Sequence, residues 1–523
     1  MPLALQALLP FIALLAAAAM VRTRPRNPAN GWIAFGATAV AAGVAMVELF
    51  RLSPGEHVDV PYLTSFPYAD LAIRLDGLSL AFASVTLVTA ALLMLARQLV
   101  QGDRREPWLG WLLAAAAAGA VILAANLLLV YVALQLLTLA WSGALDETAP
   151  RRRELRLSLQ IADIGLLLAA ASAIQSVGTS AFSGVPSDTF GVATFFLVLL
   201  PVVIRIGALA RVFSGPAASV VFEPAIAWVA PAGYLLLRLL ALMGGQLPDQ
   251  RIAVVVFAGG ALAAAGLAAL AIWQRTGARL APLLIAAEAA IALALSVGGD
   301  PLLTVASSWA WLTLIPVTGL LNVRMPRESA AYGLSLVQLA MIPGSLAFVG
   351  VLLGGLALSA RGLLLGMIPI ALAVVFALVA IMSNARVARS IQLDVATAWA
   401  GALLVVAALP IIVINPLVLP AAGTVRPVPG GTIAANLLGI RTVAGSWPAL
   451  LVSLALAAVL GLALGWLGGR VPFRLPRRRG RRARPRFQLR WRVPAQFPTL
   501  PGWSRLVLWG GFFVAVGIAA VRP

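Results

Sequence analysis

Apolar runs of about 18 residues or more recur along this 523-residue chain, and no other feature restricts its folding as strongly. Each run is long enough to cross the hydrocarbon layer of a bilayer. Within that layer every backbone N–H and C=O needs a partner from the protein itself, which only helices and closed barrels supply. The runs are continuous rather than alternating, so the barrel is excluded. The expectation is an all-α, polytopic transmembrane helical bundle of about 14–16 helices. Composition agrees: 61% of residues are hydrophobic and 11% charged, too little polar cover for a soluble domain of this length.

The run from Leu3 to Met20 lacks a basic leader and is followed, not preceded, by arginines. It is read as a retained first helix rather than a signal peptide. The transmembrane domain is expected over 1–468, then an Arg/Pro-rich loop over 469–502 and a last span over 503–523. Two spans are expected to be broken. One is 191–212, with Arg205 at depth, and the other is 331–358, with Pro343. The long 394–420 segment carries Pro410 and Pro416 and is expected to break or tilt.

The formal net charge is +20, and apart from His57 every basic residue is arginine. Arginines gather at 22–26, 97–105, 151–156, 275–279, 324–327, 386–389 and 470–492, which are alternate loops of a sixteen-span count. The other loops carry Glu56, Asp59, Asp249 and Asp300. By the positive-inside rule the arginine loops are cytoplasmic and both termini lie outside the cell membrane. Topology thus accounts for the charge without nucleic acid. The stretch "RVPFRLPRRRGRRARPRFQLRWRVPAQFP" reads as a topology anchor against anionic headgroups. The other reading of it is a docking tail for an acidic partner or RNA.

No cysteine is present and the one histidine, His57, falls in a polar loop. Thiol chemistry and histidine-based metal or haem sites are therefore not expected. Neither is a nucleotide site, since no Gly-rich fingerprint follows a strand. No cofactor is expected.

Charges inside spans are functional candidates because lipid penalises them. They are Asp163, Arg205, Arg238 and Glu288, with Arg74 and Asp76 where a span begins. Gln135, Asn126 and Gln338 are the notable amides. Arg238 is expected to snorkel from the end of its span.

Several of these residues sit in stretches with a family likeness. "RLDGLSLAFASV" (Arg74 to Val85) is similar to the start of the third helix of complex I antiporter-like subunits. "NLLLVYVALQLLTLAW" (Asn126 to Trp141) resembles their fifth helix. "LSLQIADIGLLLAAA" (Leu157 to Ala171) resembles the sixth, with Asp163 and Gly165 matching. "GYLLLRL" (Gly233 to Leu239) resembles the end of the eighth. "AIWQRTGARLAPLLIA" (Ala271 to Ala286) is similar to the segment before the tenth, retaining Gln274 and Arg279. "LSLVQLAMIPGSLAFVG" (Leu334 to Gly350) resembles the broken twelfth. The fragments keep the family order over about residues 70–390.

The resemblance implies a membrane subunit of a proton- or cation-translocating complex, like NADH–quinone oxidoreductase or a multisubunit cation/proton antiporter, with other membrane subunits as partners. It also implies that the proton relay is largely replaced. The family's fifth-helix glutamate falls at Gln135, which neither takes nor releases a proton near neutral pH. Its seventh-helix lysine falls at Arg205, with Arg211 as the rival, and arginine stays charged. The eighth-helix lysine falls near Ala230, the family histidine near Pro224, and the twelfth-helix residue near Val351.

Gln135 is then expected either to contact Arg205 or to cap a backbone carbonyl. Asp163 is expected to pair with Arg156 or a neighbouring helix, or to serve as a helix-start acid. Glu288 is the best remaining titratable candidate, with Asp163 behind it; the other reading of Glu288 is a structural pairing with polar groups across helices. Two other functions stay open: a stand-alone transporter or lipid-handling protein of another fold, and a membrane partner in inorganic-carbon uptake.

Overall fold

The structure, a computed structural model, describes residues 3–448 apart from 26, 54, 65–69, 102–106, 144–149, 213–223, 273–279, 324–328, 385–394 and 437–438. The part of the expected 1–468 domain beyond residue 448, the loop at 469–502, the last span at 503–523, and Gln274 and Arg279 lie outside the described residues.

Apolar runs become helices in chain order: α1 (Leu3–Thr23), α2 (Asn30–Arg51), α3 (Gly77–Gln101), α4 (Trp108–Leu123), α5 (Leu127–Gly143), α6 (Pro150–Val177), α7 (Val192–Val212), α8 (Ala230–Leu242), α9 (Gln250–Ile272), α10 (Leu280–Ser296) and α11 (Pro301–Asn322). They continue with α12 (Ala330–Gln338), α13 (Leu346–Ala360), α14 (Met367–Asn384), α15 (Val395–Ala408), α16 (Ile411–Val413) and α17 (Leu419–Val425). Among the described residues, eight helices are long and apolar enough to span a membrane. The chain is a multi-pass membrane protein.

The bundle grades from a buried centre to an exposed apolar rim. Every residue of α10 is buried, and α8 and α11 are almost wholly so. By contrast α9 turns Val254, Val255 and Leu262 outward, and α14 turns out Ile368, Leu372 and Val375. An apolar face needs no covering where the surroundings are lipid.

The chain is not purely α. β1 (His57–Leu63) pairs antiparallel with β2 (Leu71–Asp76), placing Asp59 opposite Arg74. The alternation in "HVDVPYL" is the period-2 signal of that strand. After α17, β3 (Ile433–Asn436), β4 (Gly439–Thr442) and β5 (Gly445–Pro448) form a second antiparallel sheet. It rests on α13 through an edge-on Trp447–Phe348 contact.

Prolines set the irregular helical turns. A π-helical turn, Ala225–Val229, leads into α8 two residues before Pro231. A second, Ile414–Val418, leads into α17 two residues before Pro420. A proline has no N–H for the carbonyl four residues back, so the ladder there shifts to a wider turn. The α15 and α16–α17 segments bend by 96° across Pro410, as expected of the 394–420 run.

The 331–358 span is broken as expected. α12 stops at Gln338 and α13 starts at Leu346. Met341 (φ 54°) and Gly344 (φ 90°) turn the chain between them. N–H groups freed at the start of α13 find side-chain partners, and Trp309 of α11 fixes the same turn. Gln338 Oε1 accepts from the Leu346 N–H at 3.1 Å, Ser345 Oγ accepts from the Phe348 N–H, and Trp309 Nε1 donates to the Leu346 carbonyl at 2.8 Å. The 191–212 span, expected to be broken, is instead one continuous helix, α7, with Pro201 inside it.

Candidate functional site

Continuity of α7 has a local cause. Pro201 removes the donor for the Leu197 carbonyl. That carbonyl lies against α6 at Gly165, where any Cβ would collide with its oxygen. One turn beyond Pro201, Arg205 Nη1 donates to the Pro201 carbonyl at 3.1 Å. A polar side chain and a neighbouring helix thus hold the proline turn together, and no break is needed.

The same close approach builds the central ion pair. Asp163 stands two residues before Gly165 on α6. Arg205 Nη1 donates to Asp163 Oδ1 at 2.7 Å and Nη2 donates to Oδ2 at 3.1 Å. The side chains are 1% and 0% exposed. Both charges, expected at different jobs, meet in a bidentate pair inside the bundle. Arg205 Nε has no partner among the described residues.

Gln135 does not belong to this pair. On α5 the exposed positions Val132, Leu136 and Leu139 form one stripe, and half-buried Tyr131 and Gln135 lie within it. The amide therefore sits on the outward side of α5, and Arg205 is taken by Asp163. The expected Gln135–Arg205 contact is corrected on that ground. The Arg211 side chain lies outside the described residues. Ala230 is buried on α8 and Val351 is half-buried on α13.

Glu288 sits midway along α10 and is 3% exposed. Its Oε2 has no hydrogen-bond partner among the described residues. Leu284, Ile285, Ile291 and Ala292, one turn to either side on its own helix, are all apolar and buried.

A second buried cluster lies at the end of the bundle where α3 begins. Arg238, expected to snorkel, is only 4% exposed. Its Nη1 meets Asp76 Oδ2 at 2.7 Å, Nη2 donates to Asp76 Oδ1 at 2.9 Å and to Ser79 Oγ at 2.7 Å, and Nε donates to Tyr234 Oη at 3.1 Å. The guanidinium also faces the Phe182 ring at 5.2 Å. Asp76 further accepts from Arg74 Nε at 2.8 Å and from the Ser79 N–H at 2.8 Å, which caps α3. Arg74 reaches across the hairpin to Asp59 Oδ2 at 3.1 Å. Burial opposes the charge on Asp76, but Arg238 and Arg74 beside it outweigh that and hold its carboxyl well below the usual carboxylate range.

Sequence reasoning singled out Asp76, Arg74 and Arg238 without joining them. The available signal was that buried opposite charges pair. Asn126, also singled out, is an N-cap: its Oδ1 accepts from the Leu129 N–H at 2.7 Å. No group of three or more His, Asp or Glu side chains that could hold a metal occurs among the described residues.

No protein-family model and no curated protein matches the sequence. Solved structures do match the fold. A chain of the Mrp complex from Dietzia sp. DQ12-45-1b superposes with a TM-score of 0.69 at 18% identity, over 100% of this chain and 63% of that one. The protein therefore spans less than two thirds of the Mrp chain's length. A chain of the membrane-bound sulfane sulfur reductase, an archaeal respiratory membrane complex, gives 0.69 at 15% identity, over 98% of this chain and 95% of that one. A chain of respiratory complex I from Thermus thermophilus gives 0.64 at 16% identity, over 82% and 100%. The fold is that of membrane chains in these complexes.

Proposed function

We propose that this protein is an antiporter-like membrane subunit of a cation- or proton-translocating complex, assembled with other membrane subunits, in which the proton relay is replaced by fixed charge. The fold likeness supports the subunit class. The carrying observation for the second half is the Asp163–Arg205 pair. A relay residue must change protonation near neutral pH. Arginine does not, and the Arg205 guanidinium engages both oxygens of Asp163. Gln135, Ala230 and Val351 offer no titratable group either. Among the described residues Glu288 and Asp163 are the carboxyls buried mid-helix, and two isolated carboxyls do not bridge a hydrocarbon layer about 30 Å thick.

In this reading the arginine-rich loops face the cytoplasm, both termini lie outside the cell membrane, and residues 469–502 rest on anionic headgroups. Cysteine labelling tests it cleanly because the chain has no cysteine of its own. Gly480→Cys should react only from the cytoplasmic side.

The functional test uses proteoliposomes with an imposed pH gradient and a fluorescent pH reporter. The expected result is no rapid proton flux and no sodium-coupled flux. Rapid flux that disappears in Glu288→Gln would overturn the proposal and make Glu288 the transport site.

A further inference from the structure

Beyond Pro410, α16, the π-helical turn and α17 run as one helical segment over 411–425. Its buried residues are Ile414, Val418, Ala421, Ala422 and Val425. These fall at i, i+4, i+7, i+8 and i+11, the spacing of one helix face. On the far side Ile412 is 49% exposed. A segment that has turned 96° from α15 and buries one face lies against the bundle rather than crossing it.

The seats of this segment are helix ends. Gly77 opens α3, and a Cβ there would collide with the Pro420 carbonyl. Thr424 Oγ1 donates to that same carbonyl at 3.0 Å and accepts from the Leu78 N–H at 3.2 Å. Leu78 lies in the first turn of α3, whose N–H groups have no partner within the helix. Farther along the chain, a Cβ on Gly245, in the turn after α8, would stand 2.8 Å from Arg426 Cβ and 2.9 Å from the Val425 carbonyl oxygen. Arg426 Nη1 donates to the Gly299 carbonyl, in the turn between α10 and α11. The segment thus meets the ends of α3, α8 and α11 on one side of the bundle, and α17 packs on all three.

The charge cluster at the start of α3 lies directly beneath. Gly77 and Leu78 are the two residues between Asp76 and Ser79, both of which Arg238 of α8 holds. Asp76 is 1% exposed and Ser79 0%. We propose that residues 411–425 form a strap that seals this end of the bundle, keeping water and ions from the Asp76–Arg238 cluster, with Thr424 and Arg426 as its latches. Water reaching the cluster would raise the local dielectric and weaken its ion pairs, so exclusion is what the strap contributes. The seal does not rest on the proposed subunit role and holds whichever side of the membrane this end faces.

The test uses the full chain in nanodiscs, where both membrane faces meet the reagent. Ser79→Cys places one thiol beneath the strap in a chain with no other, and Ser53→Cys places one at an exposed site. A charged methanethiosulfonate should label Ser79→Cys more than about a hundredfold more slowly than Ser53→Cys, since a sealed thiol reacts only through local opening. Thr424→Val and Arg426→Ala should each speed labelling of Ser79→Cys about tenfold, the factor equivalent to one lost hydrogen bond. Ser308→Cys, buried within α11, should stay slow in the same variants, because only the strap is released. Amide hydrogen exchange on the chain without any added cysteine supplies a second reading. The Leu78 N–H should exchange faster in Arg426→Ala, although Arg426 does not touch it, because the strap joins them. The proposal is overturned if Ser79→Cys reacts as fast as Ser53→Cys, if Arg426→Ala changes neither measurement, or if Ser308→Cys accelerates equally.

Discussion

Replacing Asp163 by Asn keeps the shape of the side chain and one acceptor, and removes only the charge. Arg205 is then left charged, 1% exposed, and bonded chiefly to the Pro201 carbonyl. Breaking a buried pair by deleting one partner costs about 3–5 kcal/mol. Even about 3 kcal/mol is a change of more than a hundredfold in the folded-to-unfolded ratio. Arg205→Met should cost less, because an abandoned carboxyl escapes its penalty by taking a proton, whereas an abandoned guanidinium has no such route. The double change Asp163→Leu/Arg205→Met removes both charges, and such replacements are often neutral or stabilising by about 1–4 kcal/mol. The assay is reversible unfolding in mixed micelles for the two single variants and the pair, evaluated as a double-mutant cycle. A strongly non-additive cycle is expected, with Asp163→Asn the worse single variant. Additivity within about 0.5 kcal/mol, or equal losses from both single variants, would refute the buried-pair reasoning.

Gly165→Ala should separate α6 from α7, since its Cβ meets the Leu197 backbone oxygen. Overpacking of this kind costs about 1–3 kcal/mol, read in the same unfolding assay, and Gly207→Ala, with open space around it, should not share the loss. Asp76→Asn should destabilise by about 3–5 kcal/mol by stranding Arg238 and Arg74. Because the folded pKa of Asp76 is lowered, its contribution is complete above the unfolded value near 4 and is lost only as pH falls through the folded value. The gap between the two proteins should therefore be constant from about pH 8 to pH 5 and narrow only below about pH 4. Gln135→Glu should lower membrane expression relative to Gln135→Leu, measured by fluorescence-detected size exclusion, because it turns a carboxylate toward the lipid-facing side of α5.

How much of this was readable from the sequence varies with the kind of information needed. The presence and rough placement of the apolar helices follow from local hydropathy, because the bilayer sets a length scale that each run either meets or does not; of the sixteen spans expected, eight described helices meet that length and apolarity. The break near Pro343 and the bend at Pro410 were legible for a similar reason: a missing N–H is a local fact. Pro201 carries the same local fact and gave the opposite outcome, since Gly165 of another helix and Arg205 of the next turn stabilise the ladder it interrupts. The hairpin was passed over although "HVDVPYL" alternates, because the neighbouring apolar runs dominate any window that includes it.

The candidate charges were all visible as a list, since lipid makes every intramembrane charge conspicuous. Their partners were not. Asp163 meets Arg205 rather than Arg156, and Asp76 meets Arg238 across 162 residues of chain, because pairing depends on which helices pack together. Nothing in 3.6-residue periodicity encodes that choice. Contact with Arg205 was one of two expectations for Gln135, and only the burial around α5 shows it on the outward stripe. By itself the sequence determined that this chain must be a multi-pass helical bundle and which side chains would be expensive inside it. Tertiary structure alone decided how each expense is met, because a buried charge or hydroxyl is satisfied by whatever neighbouring helix brings within about 3 Å of it.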